Sequence, residues 1–253
     1  MQAPRGVGGA RQRSVILWPP RRASCRSSVD SVATTALCAL VLPCRDEAAA
    51  LPALLAQVPG DFRVIVVDNG CRDGTAEVAR AHGAQVVVEP QPGYGAAVQA
   101  GVAAAHEEYV AVMDADGSFD PRELVALRNA VMDGDMDLAL GRRRPVSRGA
   151  WPWHARLGNA VAVAWLRRTA GFPAHDLAPM RVCRRAALVE LDVRDRRFGY
   201  PLELMRKAGE AGWRLAEYDV SYRPRAAGTR SKVSGSVRGT LRTAHDFWKV
   251  LAA

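Results

Sequence analysis

The chain has 253 residues, of which 49% are hydrophobic and 24% are charged, and its formal net charge is +9. This composition supports a sizeable apolar core and excludes a wholly disordered chain. No apolar run approaches the roughly 18 to 20 residues that span a bilayer, and the five cysteines, none spaced as CxxC, favour a reducing cytoplasm over a disulfide framework or a zinc site.

The first 35 residues are predicted to form a disordered, basic extension. They are rich in Ser, Gly and Pro, lack hydrophobic periodicity, and hold six arginines against one acid. Their charge of +5 leaves +4 for the rest of the chain. The remainder therefore suits an anionic ligand or membrane surface and does not require nucleic acid. Whether residues 1–35 are translated stays open, because the next methionine after Met1 is Met113.

From residue 36 onward, short Val-rich runs alternate with helical stretches. The predicted strands are ALCALVL (36–42), RVIVVD (63–68), QVVV (85–88), YVAVM (109–113) and DLAL (137–140). This alternation predicts an α/β fold with a mostly parallel central sheet and helices on both faces. In such sheets ligands bind beyond the carboxyl ends of the strands, which is where the segments PCRDE, DNGCRDG and DADG fall.

After Gly141 the sequence becomes basic and Trp-rich, and a second set of elements follows. It comprises the strand PMRVCRR, the helix YPLELMRKAGEAG, the strand WRLAEYDVSY, the loop RPRAAGTRSK and a last helix from about Val233. We expect one domain over residues 36–253, in which residues 141–232 elaborate the first half and residues 233–253 form an amphipathic helix.

Two carboxylates, Asp114 and Asp116, directly follow the buried strand YVAVM. Placing like charges this close at a strand end costs free energy unless water or a cation compensates for it. Two such carboxylates can share Mg²⁺ or Mn²⁺, whose shell is usually completed by substrate phosphates. A metal site and a solvated loop are both compatible with this pair alone.

Two glycine-rich turns follow other predicted strands. In VVDNGCRDGT, Asp68 can accept hydrogen bonds from a base or ribose, although Gly70 and its neighbours can equally be turn residues. In PGYGAAVQAG, Gly93 and Gly95 allow close packing, which we expect to be against a nucleotide. Because Val98 replaces the last glycine of a dinucleotide fingerprint and no Walker A lysine is present, hydride-transfer and P-loop enzymes are disfavoured.

Seven fragments taken in chain order resemble those of family-2 glycosyltransferases of the GT-A fold. They are VLPCRDEAAAL, VVDNGCRDGTAEVA, GYGAAVQAG, VMDADGSFDP, LGRRR, DLAPMRVCRR and YPLELMRKAGEAGWRLAEYDVSYRPRAAGTRSKVSG. Together they cover residues 37 to about 250 and most resemble the soluble catalytic part of polyprenyl-phosphate glycosyltransferases, which are similar to dolichyl-phosphate mannose or glucose synthases. The resemblance implies a Rossmann-like sandwich, with the nucleotide-sugar half at residues 36–140 and the acceptor side at 141–232.

The resemblance also implies an activity. It is the inverting transfer of a hexose from a nucleotide sugar, of UDP-glucose or GDP-mannose type, to a polyprenyl phosphate at the cytoplasmic face of a membrane. A soluble acceptor with the same donor is a second possibility. A third is a non-catalytic protein that binds a nucleotide sugar or nucleic acid, but nucleic acid is not expected because no strand interleaves aromatic and basic residues.

The donor site implied by the resemblance combines base, ribose and diphosphate contacts. Asp114 and Asp116 would hold the diphosphate through Mg²⁺ or Mn²⁺, and a metal with an arginine stabilises the negative charge that develops on the departing nucleotide. The donor-binding residues would be Pro43, Asp46, Glu47, Asp68, Gly70, Gly93, Gly95, Asp114 and Asp116.

On the acceptor side the resemblance implies catalytic roles for Arg143, Asp176 and Glu203. An alcohol acceptor requires Asp176 or Glu203 as a general base, whereas a lipid phosphate with a second pKa near 6 is already ionised at neutral pH. The alternatives are a buried salt bridge and a helix-surface glutamate. Acceptor or phosphate binding would involve Arg181, Arg225, Arg230 and Lys232.

Some positions depart from the family pattern. The departures are Asp46 for Asn, Cys71 for Ser, Ala178 for Gly and Asp219 for Pro. They leave the metal ligands and the main arginine in place, although Asp46 and Cys71 flank the nucleotide and could alter donor choice. Cys71 is not expected to be a nucleophile, because no activating histidine is near it in sequence.

Two basic segments are candidates for peripheral contact with an anionic membrane. HARLGNAVAVAWLRRTAG is predicted to place one broad apolar helical face between basic ends, and SVRGTLRTAHDFWKVLAA is the second candidate. The apolar residues of the first are Leu157, Val161, Ala164, Trp165 and Leu166. Packing of either helix on the sheet is the alternative.

Overall fold

The computed structural model describes residues 37–134 and 136–226. The predicted N-terminal extension, residues 1–35, and the predicted C-terminal helix, residues 233–253, lie outside this part of the chain. Arg230 and Lys232 also lie outside it. Among the helices that are described, none is long and apolar enough to cross a membrane.

One seven-stranded sheet organises the described residues. Its strands are β1 (Cys38–Cys44), β2 (Phe62–Asp68), β3 (Gln85–Val88), β4 (Tyr109–Val112), β5 (Leu138–Pro145), β6 (Met180–Arg184) and β7 (Leu215–Tyr222). Their spatial order is β3-β2-β1-β4-β6-β5-β7. β6 pairs antiparallel with β4 and β5, and the other pairings are parallel. The predicted mostly parallel sheet is confirmed, and strands from both sides of Gly141 belong to it.

Seven α-helices surround the sheet within the described ranges. They are α1 (Leu51–Leu55), α2 (Thr75–Ala81), α3 (Tyr94–Ala104), α4 (Leu124–Met132), α5 (Trp153–Thr169), α6 (Arg185–Glu190) and α7 (Tyr200–Glu210), with a 3-10 turn (Pro121–Glu123) before α4. α1 begins only at Leu51, and Asp46, just after β1, adopts a left-handed backbone with φ of 57°, which is incompatible with a right-handed helix. Helix α6 was not predicted from the sequence.

Alternating side chains of the strands build a core on each face of the sheet. Ala39 and Val41 of β1 belong to the core that includes residues of α3, α5 and α7. Leu40 and Leu42, which point to the opposite face, pack in the core that includes residues of α1, α2 and α4. Because β4 is buried at all four positions, it needs apolar cover on both faces, and the two helical layers provide that cover.

Helix α5 has two apolar faces, so the single apolar face that was predicted for it is wrong. Leu166 is fully buried and Trp165 is half-buried, whereas Leu157 and Val161 are exposed. The sequence pattern merged two faces because the intervening residues are mostly alanine and valine. One face packs on the sheet, and the other points outward.

The sheet direction gathers the predicted site residues at one edge. β1, β2 and β4 run towards Cys44, Asp68 and Asp114, and β5 and β7 run in the same direction. β6 runs the opposite way, so its first residues, rather than its last, lie at this edge. We call it the carboxyl edge.

A pair of helical glycines tests the packing of this fold. A Cβ on Gly101 of α3 would lie 2.4 Å from Cγ1 of Val41, whereas a Cβ on Gly158 of α5 would meet no atom within 4 Å. We expect Gly101→Ala to lower the free energy of unfolding by about 1 to 3 kcal/mol through overpacking. Gly158→Ala should raise it by about 0.5 to 1 kcal/mol. Urea unfolding of both variants measures the contrast, and equal effects would contradict the packing.

Candidate active site at the carboxyl edge of the sheet

Asp114 and Asp116 follow β4, as predicted, but their surroundings differ. Asp116 is buried, its Oδ1 accepts a hydrogen bond from the Ser118 N–H at 3.0 Å, and its Oδ2 lies 2.7 Å from Nε of Arg225. Asp114 is partly accessible, and its carboxylate has no hydrogen bond or ion pair to any described residue. The carboxylate oxygens of Asp114 are therefore available to coordinate a ligand, whereas both carboxylate oxygens of Asp116 already have partners.

The electrostatics of Asp114 also favour a cationic ligand. Burial and the neighbouring Asp116 charge raise the pKa of Asp114 to about 6, against the opposing influence of Arg225, Arg143 and Arg181. A divalent cation would relieve both destabilising effects, so the pair fits a hard metal ion bound through oxygen. Within the described residues, no cluster of three His, Cys, Asp or Glu side chains could hold a metal. Other ligands would have to complete the shell.

A backbone ladder holds the segment around Arg225 against the acidic loop. The Ala226 N–H donates to the Asp116 carbonyl at 3.0 Å, and the Arg223 N–H donates to the Ser118 carbonyl at 2.9 Å. The side chain of Arg225, predicted as a phosphate ligand, is thereby directed onto Asp116. In this state Arg225 supplies part of the positive charge that the acidic pair needs.

Arg143 and Asp176 form a buried bidentate ion pair. Oδ2 of Asp176 accepts from the Arg143 backbone N–H and from Nε, both at 2.9 Å, and Oδ1 accepts from Nη2 at 2.5 Å. The guanidinium stacks on the Trp151 ring, 4.0 Å from its centroid. Nη1 has no hydrogen bond to a described residue. The pair thus fixes Arg143 and leaves one end of it available to a ligand.

This pairing bears on the predicted catalytic role of Asp176. Burial favours its protonated form, but the charge of Arg143 and its hydrogen bonds outweigh burial, so the pKa of Asp176 lies below its ordinary value. The Ala178 N–H also donates to Oδ1 at 3.2 Å. A carboxylate with a lowered pKa and both oxygens engaged is a poor proton acceptor. The geometry favours a positioning role, and matches the salt-bridge alternative.

Two residues that sequence reasoning missed hold this ion pair in place. Glu217 of β7 accepts from the N–H groups of His175 and Asp176, at 2.7 and 3.2 Å. Oδ1 of Asn159 accepts from Nη2 of Arg143 at 3.1 Å and from the Leu177 N–H at 3.0 Å. Glu217 lies in the predicted strand WRLAEYDVSY, two residues before the family-pattern position that Asp219 occupies, which was a signal. Asn159 lies within an Ala- and Val-rich helix and gave none.

Arg181, on β6 at this edge, is a buried cation with an incomplete set of partners. Its residue is only 2% exposed, its Nη2 lies 3.3 Å from the hydroxyl of Tyr94, and its buried Nε has no hydrogen-bond partner. It forms no ion pair with a described residue. A buried guanidinium without a counterion is costly, so an anionic ligand would stabilise it. This matches its predicted role in phosphate binding.

Glu203 serves the loop before α7. Its carboxylate oxygens accept from the N–H groups of Arg194 and Asp195, at 3.0 and 2.7 Å, and Lys207 lies 3.2 Å away. Glu203 is buried, so the helix-surface alternative does not describe it. Its observed contacts hold the loop at residues 194–197 in place. The predicted role of Glu203 as a base stays a prediction.

Gly93 and Gly95 pack against that same loop. A Cβ on Gly93 would lie 2.1 Å from the Arg196 carbonyl oxygen, and one on Gly95 would lie 2.2 Å from that of Asp195. The Gly95 N–H donates to the Arg197 carbonyl at 3.1 Å. In the described structure the close neighbour of both glycines is the chain's own backbone, and their packing against a nucleotide stays a prediction.

Asp68 and Gly70 form the turn after β2. Oδ1 of Asp68 accepts from the N–H groups of Gly70 and Cys71, at 3.1 and 2.8 Å, which leaves its second oxygen for a ligand. Asn69, which we had not singled out, donates to the carbonyls of residues 89 and 91 and accepts from the Gly93 N–H. Burial raises the pKa of the Cys71 thiol to about 11, so Cys71 is protonated at neutral pH and is a poor nucleophile, as expected.

Pro43, Asp46 and Glu47 lie at the end of β1 and just beyond it. Pro43 is half-buried beside β2, and Oδ1 of Asp46 accepts from the Arg72 N–H at 2.8 Å. The Glu47 N–H donates to Oγ1 of Thr75 at 3.0 Å. These contacts tie the end of β1 to the Asp68 turn, so the structure brings the predicted base and ribose contacts together.

Comparison with known proteins places this geometry in context. The sequence model of the family described as Glycosyl transferase family 2 matches residues 40–188. An uncharacterized glycosyltransferase of Mycobacterium tuberculosis is 56% identical over 213 residues, which cover 84% of this chain and 97% of that protein. The polyprenol monophosphomannose synthase of Mycolicibacterium smegmatis is 32% identical over 217 residues, which cover 78% and 81% of the two chains.

A solved structure with a similar fold contains a phosphorylated small molecule. It is the glucosyl-3-phosphoglycerate synthase of Mycobacterium tuberculosis, in complex with Mn²⁺, UDP-glucose and phosphoglyceric acid. The two folds superpose with a TM-score of 0.63 at 20% sequence identity, over 85% of this chain and 79% of that chain. The predicted GT-A fold is thereby confirmed.

The buried ion pair generates a stability prediction. Asp176→Asn should lower the free energy of unfolding by about 3 to 5 kcal/mol at neutral pH, because Arg143 would stay buried without its counterion. The pKa of Asp176 is lowered on folding. The advantage of the parent protein is therefore complete above about pH 4 and is lost as the pH falls below the unfolded-state value near 3.9. Urea titrations across this range measure it.

Asp192→Asn is the matched control. Asp192 also pairs with an arginine, at 2.7 Å from Arg194, but both side chains are exposed. Exposed pairs contribute little to stability, so this variant should unfold like the parent. A similar loss in both variants would show that burial does not set the strength of the Arg143–Asp176 pair.

Proposed function

This chain belongs to glycosyl transferase family 2, and we propose that within the family it transfers a hexose from a nucleotide sugar to a polyprenyl phosphate, with inversion at the sugar carbon. The reaction would take place at the cytoplasmic face of a membrane. The observation that carries the acceptor assignment is the engagement of both predicted bases, Asp176 and Glu203, in other interactions.

The donor half of the proposal rests on Asp114. Its carboxylate makes no hydrogen bond or ion pair with a described residue and has Asp116 beside it, so it fits Mg²⁺ or Mn²⁺ shared with a diphosphate. When bound, such an ion neutralises charge on the departing nucleoside diphosphate. Asp68 and the Pro43–Glu47 segment would hold the base and ribose. The complex of the similar Mycobacterium tuberculosis synthase with Mn²⁺ and UDP-glucose supports this donor class.

Arg225 would exchange partners during donor binding. It lies 2.7 Å from Asp116 in the present state, so it occupies part of the space that a cation needs. Once a divalent ion takes its place on Asp116, the guanidinium would be free to pair with a donor phosphate. Gly70, Gly93 and Gly95 would then keep the surrounding loops close without contributing charge.

The acceptor half of the proposal rests on whether the acceptor must lose a proton to a base. An alcohol must lose a proton during transfer, which requires a base. Asp176 has a lowered pKa, and Glu203 already accepts two backbone hydrogen bonds. A phosphate monoester is ionised near neutral pH and needs no base. Arg181, with its unsatisfied Nε, and the available end of Arg143 would bind that anion.

A soluble phosphorylated acceptor is the second candidate. The similar synthase solved with phosphoglyceric acid favours it, while the sequence similarity to a polyprenol monophosphomannose synthase favours the lipid. Both acceptors carry a phosphate for Arg181, but only the lipid uses that phosphate as the nucleophile. A third reading is binding of a nucleotide sugar or nucleic acid without catalysis, in which Arg181 would bind only a phosphate of that ligand.

The donor proposal predicts metal-dependent nucleotide binding. UDP or GDP at about 100 times its Kd should stabilise the protein by about 2.7 kcal/mol, or about 5 to 10 °C in Tm, when Mn²⁺ or Mg²⁺ is present. Little shift should occur in EDTA. Asp114→Asn should abolish the metal-dependent part, whereas Asp61→Asn, on an exposed loop, should retain it. Equal stabilisation of the Asp114→Asn protein would contradict the metal assignment.

The acceptor proposal predicts opposite behaviour for two buried charges. Arg181→Gln should lower kcat/KM for polyprenyl phosphate by about 10- to 100-fold, the value of hydrogen bonds to a charged group. Glu203→Gln should stay within about three-fold of the parent, since loss of a general base costs about 100-fold or more. Arg184→Gln, on the same strand at the opposite edge of the sheet, is the control. Transfer of radiolabelled hexose into the organic phase measures each rate.

The same assay separates the acceptor classes. The lipid assignment would be wrong if label entered only phosphoglycerate or another soluble acceptor and Glu203→Gln lowered the transfer rate by about 100-fold. The acceptor would then be an alcohol. Nucleotide binding without turnover on any acceptor would leave the non-catalytic reading.

A further inference from the structure

The outward face of α5 exposes an apolar stripe that no described element covers. Trp153, Leu157 and Val161 are 75%, 57% and 58% exposed. They are four residues apart, so they lie on one face of the helix. Val146, in the loop before α5, is also exposed. Single exposed apolar residues are common, but an aligned set of this kind marks an interaction surface.

Packing on the sheet does not account for this stripe. The buried residues of α5 are Asn159, Ala162, Val163 and Leu166, which occupy the other side of the helix. That side already belongs to the core. Trp153, Leu157 and Val161 therefore form a second apolar face whose partner is outside the described fold.

The segment that carries the stripe has charged residues of one sign. Between Asp137 and Asp176 the sequence contains no acidic residue and seven arginines. Arg148, Arg156 and Arg168 form no ion pair with a described residue. Arg148 and Arg156 also line a surface cavity of about 420 Å³ beside Trp151. An apolar stripe with unpaired arginines around it is complementary to acyl chains beneath anionic headgroups.

We infer that this surface, Val146 with Trp153, Leu157 and Val161 and the arginines around them, docks the protein on an anionic lipid bilayer. Helix α5 would lie in the plane of the interface, with its apolar stripe at the boundary of the acyl chains. Arg148 and Arg156 would bind headgroup phosphates in the surface cavity. A neutral protein partner would not explain a segment that contains seven arginines and no acidic residue.

The docking surface connects directly to the candidate active site. Asn159, on the buried side of α5, accepts a hydrogen bond from Nη2 of Arg143, and Trp151 stacks on the same guanidinium. Docking would therefore place Arg143 next to the interface in which a polyprenyl phosphate resides. This consequence rests on the proposed function, whereas binding of the surface to lipid does not.

Vesicle co-sedimentation with the full chain tests the proposal. The parent protein should sediment with phosphatidylglycerol–phosphatidylcholine vesicles and only weakly with pure phosphatidylcholine. The double variant Arg156→Gln/Arg168→Gln should partition about 25-fold more weakly, at about five-fold for each arginine removed. Trp153→Ser/Leu157→Ser should lose at least about ten-fold in binding, and its binding should not recover at low salt.

Matched controls exclude general effects of charge or hydrophobicity. Val189 is 56% exposed on α6, at the opposite edge of the sheet, and Arg80 is exposed on α2. Val189→Ser and Arg80→Gln should bind vesicles like the parent. Circular dichroism and transfer to a short-chain, water-soluble polyprenyl phosphate should be unchanged in every variant, so failure of the proposed reaction is distinguishable from failure of docking.

Two results would overturn the proposal. One is equal vesicle binding by the parent and both double variants. The other is a change of oligomeric state in Trp153→Ser/Leu157→Ser, seen by light scattering, without a change in lipid binding. That outcome would assign the stripe to contact between copies of this chain.

Discussion

The site depends on the repulsion between two carboxylates at the end of a buried strand. Asp114 and Asp116 follow β4, which is covered on both faces, so water alone does not solvate them fully. Their charges must be balanced by cations drawn from elsewhere in the chain. Arg225 balances Asp116 directly, while Arg143 and Arg181 act on Asp114 through space. Much of the second half of the fold can be understood as the means of delivering these arginines.

The reversed strand β6 is central to that delivery. Because β6 lies between β4 and β5 and runs against both, its first residues, rather than its last, reach the carboxyl edge. Arg181 therefore pairs with Val112 in the sheet, two residues before Asp114. A parallel strand in this position would carry its early residues to the opposite edge. Asp176 lies shortly before β6, so the reversed direction of this strand also brings Asp176 to the carboxyl edge, where it pairs with Arg143 of β5.

The strands, most helices and the acidic pair followed from sequence because they depend on local periodicity and on residues adjacent in the chain. The roles of Arg225, Glu203 and the two glycines did not follow in the same way. Arg225 meets Asp116, and Gly93 meets Arg196, only through contacts across about a hundred residues. A motif identifies which residue types gather at a site, but the pairing within the site is set by the register of the sheet and by which polar groups are left without partners.

The balance of charge explains why donor and metal should arrive together. Three aspartates, at 114, 116 and 176, face three arginines, at 143, 181 and 225. A divalent cation alone would leave the site with excess positive charge, and a diphosphate alone would leave it with excess negative charge; the two together preserve the balance. The acceptor phosphate then adds charge that, among the residues that the structure describes, Arg181 and the available end of Arg143 can offset. Since Arg143 is braced from α5, the charge that the reaction needs and the helix that faces outward are parts of one hydrogen-bonded unit.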